Sequence, residues 1–438
     1  MSAIAYDMYA DRIDRANTIK HFGKVTQVVG LVVESAGPSI PIGRHCTIEN
    51  SDDGSTIRAE VVGFRNDHLL LMPFGPMAGI HPGAIVTSTA DQLRIPVGDG
   101  LIGRILGGLG QPLDDRGPVI ATSTRGINGT VIPALQRRRI TEPVRTGIKA
   151  IDLLAAVGKG QRLGIFAGSG VGKSVMLGMI ARGSSADVNV IALVGERGRE
   201  VREFIEEDLG TEGLKRSVVV AVSSDQPAIV RIKGAMVATT IAEYFRDQGK
   251  DVMLLMDSVT RIAMAQREIG LAAGEPPATK GYPPSVYALL PTLLERAGSS
   301  QRGSITGLYT VLVEGDDFNE PISDAVRSIL DGHVALSRKL AAMNQYPAVD
   351  CLDSISRLMK DVATPEERRL AGEVRQIVAT YREAEDLINI GAYVKGSNPR
   401  IDRAIAKIDA INQFFRQPIG DLSPHDQAVA ELGQIIGQ

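Results

Sequence analysis

The sequence predicts a multidomain fold: an N-terminal β-barrel, a central α/β P-loop domain and a C-terminal α-helical domain. Three observations carry this. Short β-branched runs broken by turn residues fill the stretch from Val25 to about Leu93. Strands then alternate with helices around the string A-G-S-G-V-G-K-S at 167–174. After about residue 350 strand signals fade and Pro-led helical stretches follow. A chain of 438 residues exceeds one ordinary core, so several domains are expected, with boundaries at 1–20, 21–95, 96–347 and 348–438.

Residues 4–17 place Tyr6, Tyr9, Ile13 and Ala16 on one helical side, with Asp7, Asp11, Arg12, Asp14 and Arg15 elsewhere. This is either a docking helix or an ordinary terminal one. The runs Val28 to Val33, Ile57 to Val62, Leu69 to Met72 and Ile85 to Thr89, punctuated by Gly-Pro and Asp-Asp-Gly, have the spacing of a small antiparallel barrel. From about Gly98 to Pro347, the segments Leu163 to Phe166, Val190 to Val194, Val218 to Val222, Val252 to Met256 and Ile305 to Val313 read as buried strands. Ala228 to Gln248 reads as a helix opened by Pro227. Such alternation predicts a largely parallel sheet with helices on both faces and a ligand at the C-terminal strand ends. Pro365 to Asp386, Pro399 to Phe415 and Pro424 to Ile436 read as helices, separated by Gly391, Gly396-Ser397-Asn398 and Gly420.

A net charge of -3, no Trp and 4% aromatics argue against a nucleic-acid binder, which needs a basic excess or a stacking platform. Cys46 and Cys351 lie far apart with no C-x-x-C spacing, as expected of free thiols in a reducing compartment. Asp7, Asp11 and Asp14 interrupt the pattern of a signal peptide, and no apolar run approaches a membrane span. The expected location is therefore the cytoplasm or the surface of a membrane.

The string at 167–174 predicts a nucleotide phosphate site. Gly168, Ser169, Gly170, Val171 and Gly172 are small enough for consecutive backbone N–H groups to turn towards phosphate oxygens, and the helix that follows adds its positive end. Lys173 reaches the β- and γ-phosphates in such a loop, and the Ser174 hydroxyl holds Mg²⁺. The loop opens on Ala167 where the strict pattern has Gly. Asp257 ends the run Val252 to Met256, at a strand tip on the Mg²⁺ side. Glu196 follows another strand, and its position alone suits either a general base for the attacking water or a carboxylate complementing a helix dipole. Arg197, Arg261 and Arg357 are candidates for bridging phosphate oxygens, although spacing alone does not single them out.

The segments P-V-R-T-G-I-K-A-I-D at 143–152, G-E-R-G-R-E-V-R-E-F at 195–204 and Y-F-R-D-Q-G-K-D-V-M-L-L-M-D-S-V-T-R at 244–261 resemble the rotary ATPase alpha/beta superfamily, with its RecA-like core. G-L-A-A-G-E-P-P at 270–277, P-P-S-V-Y-A-L-L-P-T-L-L-E-R-A-G at 283–298 and E-G-D-D-F-N-E-P from Glu314 resemble, more narrowly, the ATPases of type III protein export. The resemblance runs from about residue 22 to 436. It implies ATP and Mg²⁺, with Lys173 and Ser174 as their ligands, Glu196 as the catalytic carboxylate and Asp257 on the Mg²⁺ side. It places Arg197 and Arg261 beside the terminal phosphate, Tyr346 against adenine, and Arg357 as the finger a neighbouring subunit inserts. It further implies a homohexameric ring and a position at the inner face of the cytoplasmic membrane. The partners it implies are a stator-like regulator at the N-terminal segment, a central coiled-coil stalk, a membrane export gate and chaperone–substrate complexes at the C-terminal helices. The strings G-K-V-T-Q-V-V-G-L-V-V-E at 23–34 and G-A-Y-V-K-G-S-N-P-R-I-D at 391–402 look more like flagellar members than virulence injectisome ones. A rotary synthase subunit is the more distant alternative.

Overall fold

The computed structural model describes residues 21–437 except 51, 53, 90, 314–316, 319 and 422; the candidate helix at 4–17 lies outside the described residues. The chain separates into two compact units, one running through Leu93 together with Ile269–Glu275, the other Arg94–Glu268 with Pro276–Gln438.

In the first unit six antiparallel strands close a barrel: β1 (Phe22–Val29), β2 (Val32–Ala36), β3 (His45–Glu49), β4 (Thr56–Arg65), β5 (His68–Pro73) and β6 (Ile85–Ser88), in the order β1-β2-β5-β4-β3-β6. Closure leaves no strand edge unpaired. Alternate residues point inward, so Val25, Val33, Cys46, Ile48, Val61, Leu71 and Val86 form one core. The apolar run Val28 to Val33 is not one strand: a two-residue loop, Gly30-Leu31, folds it into the β1–β2 hairpin with Val29 opposite Val32.

The second unit is built on a mostly parallel sheet. The short strands β7 (Arg94–Val97) and β9 (Ser123–Gly126) pair with each other, and β8 (Ile105–Leu106) joins the sheet edge. The strands β10 (Pro143–Val144) and β11 (Val157–Gly158) form a second small pair. The sheet proper comprises β12 (Arg162–Ala167), β13 (Val188–Glu196), β14 (Ser217–Ser223), β15 (Asp251–Asp257), β17 (Ser304–Leu312), β18 (Gly332–Leu336) and β19 (Val349–Ser356). Its order is β19-β18-β12-β17-β15-β13-β14-β8, with β16 (Gly298–Ser299) hairpinned onto β17. Every neighbouring pair along this order is parallel except β18 with β19. Nearly every residue of β13, β14, β15 and β17 is buried, as strands covered on both faces require.

Strand structure continues past the expected end at about residue 350, because β19 runs to Ser356 as the antiparallel edge of the sheet. Helices Pro365–Asn389, Pro399–Phe415 and His425–Gly437 follow, starting within a residue of their expected first positions. They do not stand apart from the sheet. Leu370, Val374, Ile408, Phe414 and Leu432 share one apolar core with Leu163, Ile165, Leu177 and Ile191.

Candidate active site

The parallel register brings four strand ends to one place. Ala167 lies opposite Leu312, Met256 opposite Tyr309, Leu193 opposite Asp257, and Glu196 opposite Ser223. The tips of β12, β17, β15 and β13 therefore form one continuous edge, and the loop 167–174 rises from it. Gly172 has φ 83 and precedes the helix Lys173–Gly183, so a left-handed residue turns the chain sharply from loop to helix. A Cβ there would also meet the Tyr346 ring at 3.1 Å, which restricts the position to Gly on two counts.

Lys173, the first residue of that helix, contacts both carboxylates of the edge. Its Nζ donates to Asp257 Oδ1 and lies 3.6 Å from Glu196 Oε1. Arg261, on the helix that follows β15, faces Glu196 from the other side with Nε and Nη2 each 3.3 Å from a carboxylate oxygen. Gly195 makes this approach possible: it has φ 76, and a Cβ on it would come within 2.8 Å of Arg261 Cδ. Asp257 accepts a further hydrogen bond from Thr310 Oγ1 at 2.7 Å. Two cations and two carboxylates thus neutralise one another in a largely buried cluster, Glu196 being 9% and Asp257 3% exposed. Burial raises the proton affinity of Glu196, offset in part by Lys173 and reinforced by the Asp257 charge.

Beside the loop lies a cavity of about 500 Å³ lined by Val175, Met176 and Met179 from the helix and by Tyr346, Pro347 and Pro418. Its lining is apolar and partly aromatic, which suits a flat heterocycle. Gln417, 4% exposed, fastens the pocket: its N–H donates to the Tyr346 carbonyl (2.9 Å), its Nε2 to the carbonyls of Gly147 (2.8 Å) and Asp421 (2.9 Å), and its Oε1 accepts from Lys149 N (3.0 Å).

Of the residues expected at the site, the structure gathers Lys173, Glu196, Asp257 and Arg261, with Ser174 exposed on the first turn of the helix and Tyr346 beside the loop. It does not gather Arg197 or Arg357. Arg197 caps the helix Gly198–Glu203, and its side chain, 76% exposed, pairs with Glu200 at 3.6 Å. Arg357 follows β19, exposed, with its backbone N–H on the Asp331 carbonyl at 3.0 Å. Since β19 is antiparallel and Ser356 lies opposite Gly332, Arg357 sits where the parallel strands begin, at the far end of the sheet from its own loop. The six residues of β12 between these two levels span about 20 Å. Thr310 and Gln417 were not expected at the site. The signal for Thr310 is a polar side chain inside the apolar stretch of β17; Gln417, which follows Arg416 and precedes Pro418, carries no such signal.

Oxygen-only donors at a phosphate loop suit Mg²⁺, which takes one or two protein oxygens and completes its shell with substrate phosphates and water. The Lys173 ammonium between the two carboxylates marks where positive charge is favoured. Ser174 Oγ and the Asp257 carboxylate fit such an ion.

Comparison with known proteins gives the family. Residues 147–356 match the ATP synthase alpha/beta family, nucleotide-binding domain; residues 25–90 match that family's beta-barrel domain; residues 363–434 match the T3SS EscN ATPase C-terminal domain. The chain is 53% identical to the flagellum-specific ATP synthase of Bacillus subtilis over 98% of both chains. It is 49% identical to the type 3 secretion system ATPase of Xanthomonas euvesicatoria, over 95% of this chain and 94% of that one. The assembled ATPase EscN from the enteropathogenic E. coli type III secretion system, solved in complex with its central stalk EscO, superposes with a TM-score of 0.87 at 44% identity, covering 94% of this chain and 100% of that one. A barrel, a P-loop sheet and a C-terminal helical unit matched along almost the whole length leave one placement: the chain belongs to the type III export ATPases of the ATP synthase alpha/beta family.

Proposed function

We propose that this chain hydrolyses ATP as one subunit of a homohexameric ring, each site completed by Arg357 of the neighbouring subunit, and that the ring serves flagellar protein export. The observation that carries the assembly is the separation of Arg357 from the phosphate loop of its own chain by the length of the sheet. Such an arginine can act only on another copy. Identical subunits meeting through unlike faces form a ring where the rotation between them closes, and one chain supplies both faces.

In each site the 167–174 backbone and Lys173 bind the phosphates, while Tyr346 and Met179 hold the base. Mg²⁺, held by Ser174 and Asp257, supplies charge neutralisation of the phosphates when bound. Glu196 orients the water that attacks the γ-phosphorus and takes its proton as the bond to ADP breaks; its raised proton affinity makes it a stronger base. Arg261 holds Glu196 in place, and the neighbour's Arg357 stabilises charge on the equatorial oxygens. The flagellar assignment is supported by the strings at 23–34 and 391–402 and by the Bacillus subtilis relative. A stalk threading the ring is supported by the EscN–EscO complex. The regulator at the N-terminal segment, the membrane gate, the chaperone–substrate complexes and the position at the inner membrane face rest on family resemblance.

The test is steady-state ATPase activity against protein concentration. Specific activity should rise with concentration as rings form, and Arg357→Ala should lower it by about 10³ to 10⁵. Mixing Arg357→Ala with Lys173→Ala should restore part of it, because some interfaces then combine an intact loop with an intact arginine. Concentration-independent activity insensitive to Arg357 would overturn the ring. For the cellular role, this chain should restore swimming to a strain lacking its flagellar export ATPase; restored injectisome secretion without swimming would reverse the assignment.

A further inference from the structure

Gln161 is 0% exposed and sits one residue before β12, at the opposite end of that strand from the phosphate loop. Both amide donors and the amide oxygen are engaged. Oε1 accepts from Gly158 N at 2.8 Å, and Nε2 donates to Asp331 O at 3.2 Å and to Ser356 Oγ at 3.0 Å. The Ser356 hydroxyl donates in turn to the Ala156 carbonyl at 2.7 Å. The Asp331 carbonyl is the same acceptor that receives the backbone N–H of Arg357. Arg357 is therefore tied to Gln161 twice, through the shared carbonyl and through its neighbour Ser356.

A second set of contacts fixes Asp331 itself. Its carboxylate accepts from Arg162 N at 3.1 Å and from the Arg162 guanidinium at 3.2 and 3.3 Å, and its N–H donates to the Arg162 carbonyl at 2.8 Å. The start of β12, the start of β18 and the end of β19 are thereby stitched together where the chain leaves the sheet for Arg357. A glutamine with no exposed surface adds nothing to solubility, and an apolar side chain would fill its volume equally well. What the amide supplies that an apolar side chain lacks is one acceptor, spent on Gly158 N, and two donors, both spent on the residues that orient Arg357.

We propose that Gln161, with Ser356, is a positioning residue for Arg357: it holds the backbone from which the arginine reaches the neighbouring subunit's γ-phosphate, so that its effect on turnover is exerted in the adjacent site and not in its own. This rests on the reading of Arg357 as an arginine supplied in trans. A misplacement of about 1 Å in a group that must meet a transition state costs about 10²-fold in rate. Gln161→Leu should therefore lower kcat by about that factor with KM for ATP little changed, since the phosphate loop lies at the other end of β12.

Subunit mixing separates the alternatives. With Lys173→Ala, Gln161→Leu should recover activity, because about one interface in four of a random ring joins its intact loop to an undisturbed arginine. With Arg357→Ala it should recover none, since both partners fail on the same face. The proposal is overturned by wild-type kcat in Gln161→Leu, or by a loss that Lys173→Ala leaves unrepaired while the Arg357→Ala and Lys173→Ala mixture does recover, which would place the damage in the chain's own site. Failure of that control mixture would instead remove the trans arginine itself. Should Gln161→Leu not form folded rings, Ser356→Ala takes the same test with an expected loss of about 10-fold, a smaller displacement of the same backbone; unchanged kcat there also overturns the proposal.

Discussion

At the scale of single residues the site depends on how Glu196 is held. Its carboxylate is buried, and the cations Lys173 and Arg261 are what keep it from taking up a proton more readily still. Glu196→Gln should keep ATP binding within a few-fold while turnover falls by about 10² to 10⁴, the share of a positioned base; near-normal turnover would show that another group handles the water. The acid limb of kcat/KM should lie above the ordinary glutamate value of about 4.3, because the raised group loses its proton only at higher pH. Removing Arg261 removes an influence that lowers it, so Arg261→Gln should move the limb further up in pH. A limb that stays put or moves down would mean that Glu196 is not the titrating base. Lys173 was legible in the sequence from the Gly-rich string that carries it, and Asp257 and Glu196 from the apolar strand runs they follow, although the role of Glu196 needed the family resemblance. Thr310 was not, since its bond to Asp257 depends on the register of β17 against β15. The exposure of Arg197 was not legible either, because a motif string does not say which way the residue capping the next helix turns.

At the scale of elements, what the sequence hid were the short and the mixed. The strand β18 is five residues long with Gly332 and His333 at its start, and β19 carries Asp350 and Asp353 among its apolar residues. Asp350 is nevertheless buried, because Arg382 meets it at 2.8 Å from the following helix and the backbone N–H of Leu352 donates to it. Propensity cannot anticipate a partner thirty residues away. The helix Pro365–Asn389, by contrast, announces itself through Pro365, and the structure adds a full capping box in which Thr364 Oγ1 accepts from Glu367 N and Glu367 Oε2 accepts from Thr364 N. Thr364→Ala should cost about 1 kcal/mol, read as a lower denaturation midpoint with unchanged slope. Glu367 does more than close the box. Burial pushes its proton affinity up, but the Thr364 N–H, His425 and Arg145 together outweigh burial and hold it below the usual carboxylate range. A carboxyl depressed on folding stabilises above its unfolded value of about 4.3 and loses that contribution as pH falls through its folded one. Glu367→Gln should therefore flatten the loss of stability across that acidic window; a melting profile as steep as wild type would show that the carboxylate is not the group responsible.

At the scale of the whole second unit, one sheet carries the phosphate loop at one end and Arg357 at the other, and the C-terminal helices pack into the same core as the strands between them. The final helix, His425–Gly437, places Ala428, Leu432 and Ile436 in the core that also holds the strand leading to the phosphate loop, and the stretch just before it carries Gln417 to the cavity beside that loop. Burying a side chain such as Leu432 or Ile436 is worth about 1.5 to 3 kcal/mol, a large share of the margin by which a domain stays folded. Removing residues 424–438 should therefore lower the melting temperature of the nucleotide-binding unit as a whole, in one transition, and raise KM for ATP through loss of order around Gln417 and Tyr346. Were the helices instead an appendage to an independent nucleotide-binding domain, the shortened chain would keep the melting temperature and KM of the intact protein, and the common core would have no energetic meaning. The shared cluster argues against that outcome, because Leu163 and Ile165 on β12 and Leu177 on the phosphate-loop helix belong to the same packed group as Leu432, so loosening one end of it loosens the support of the loop itself.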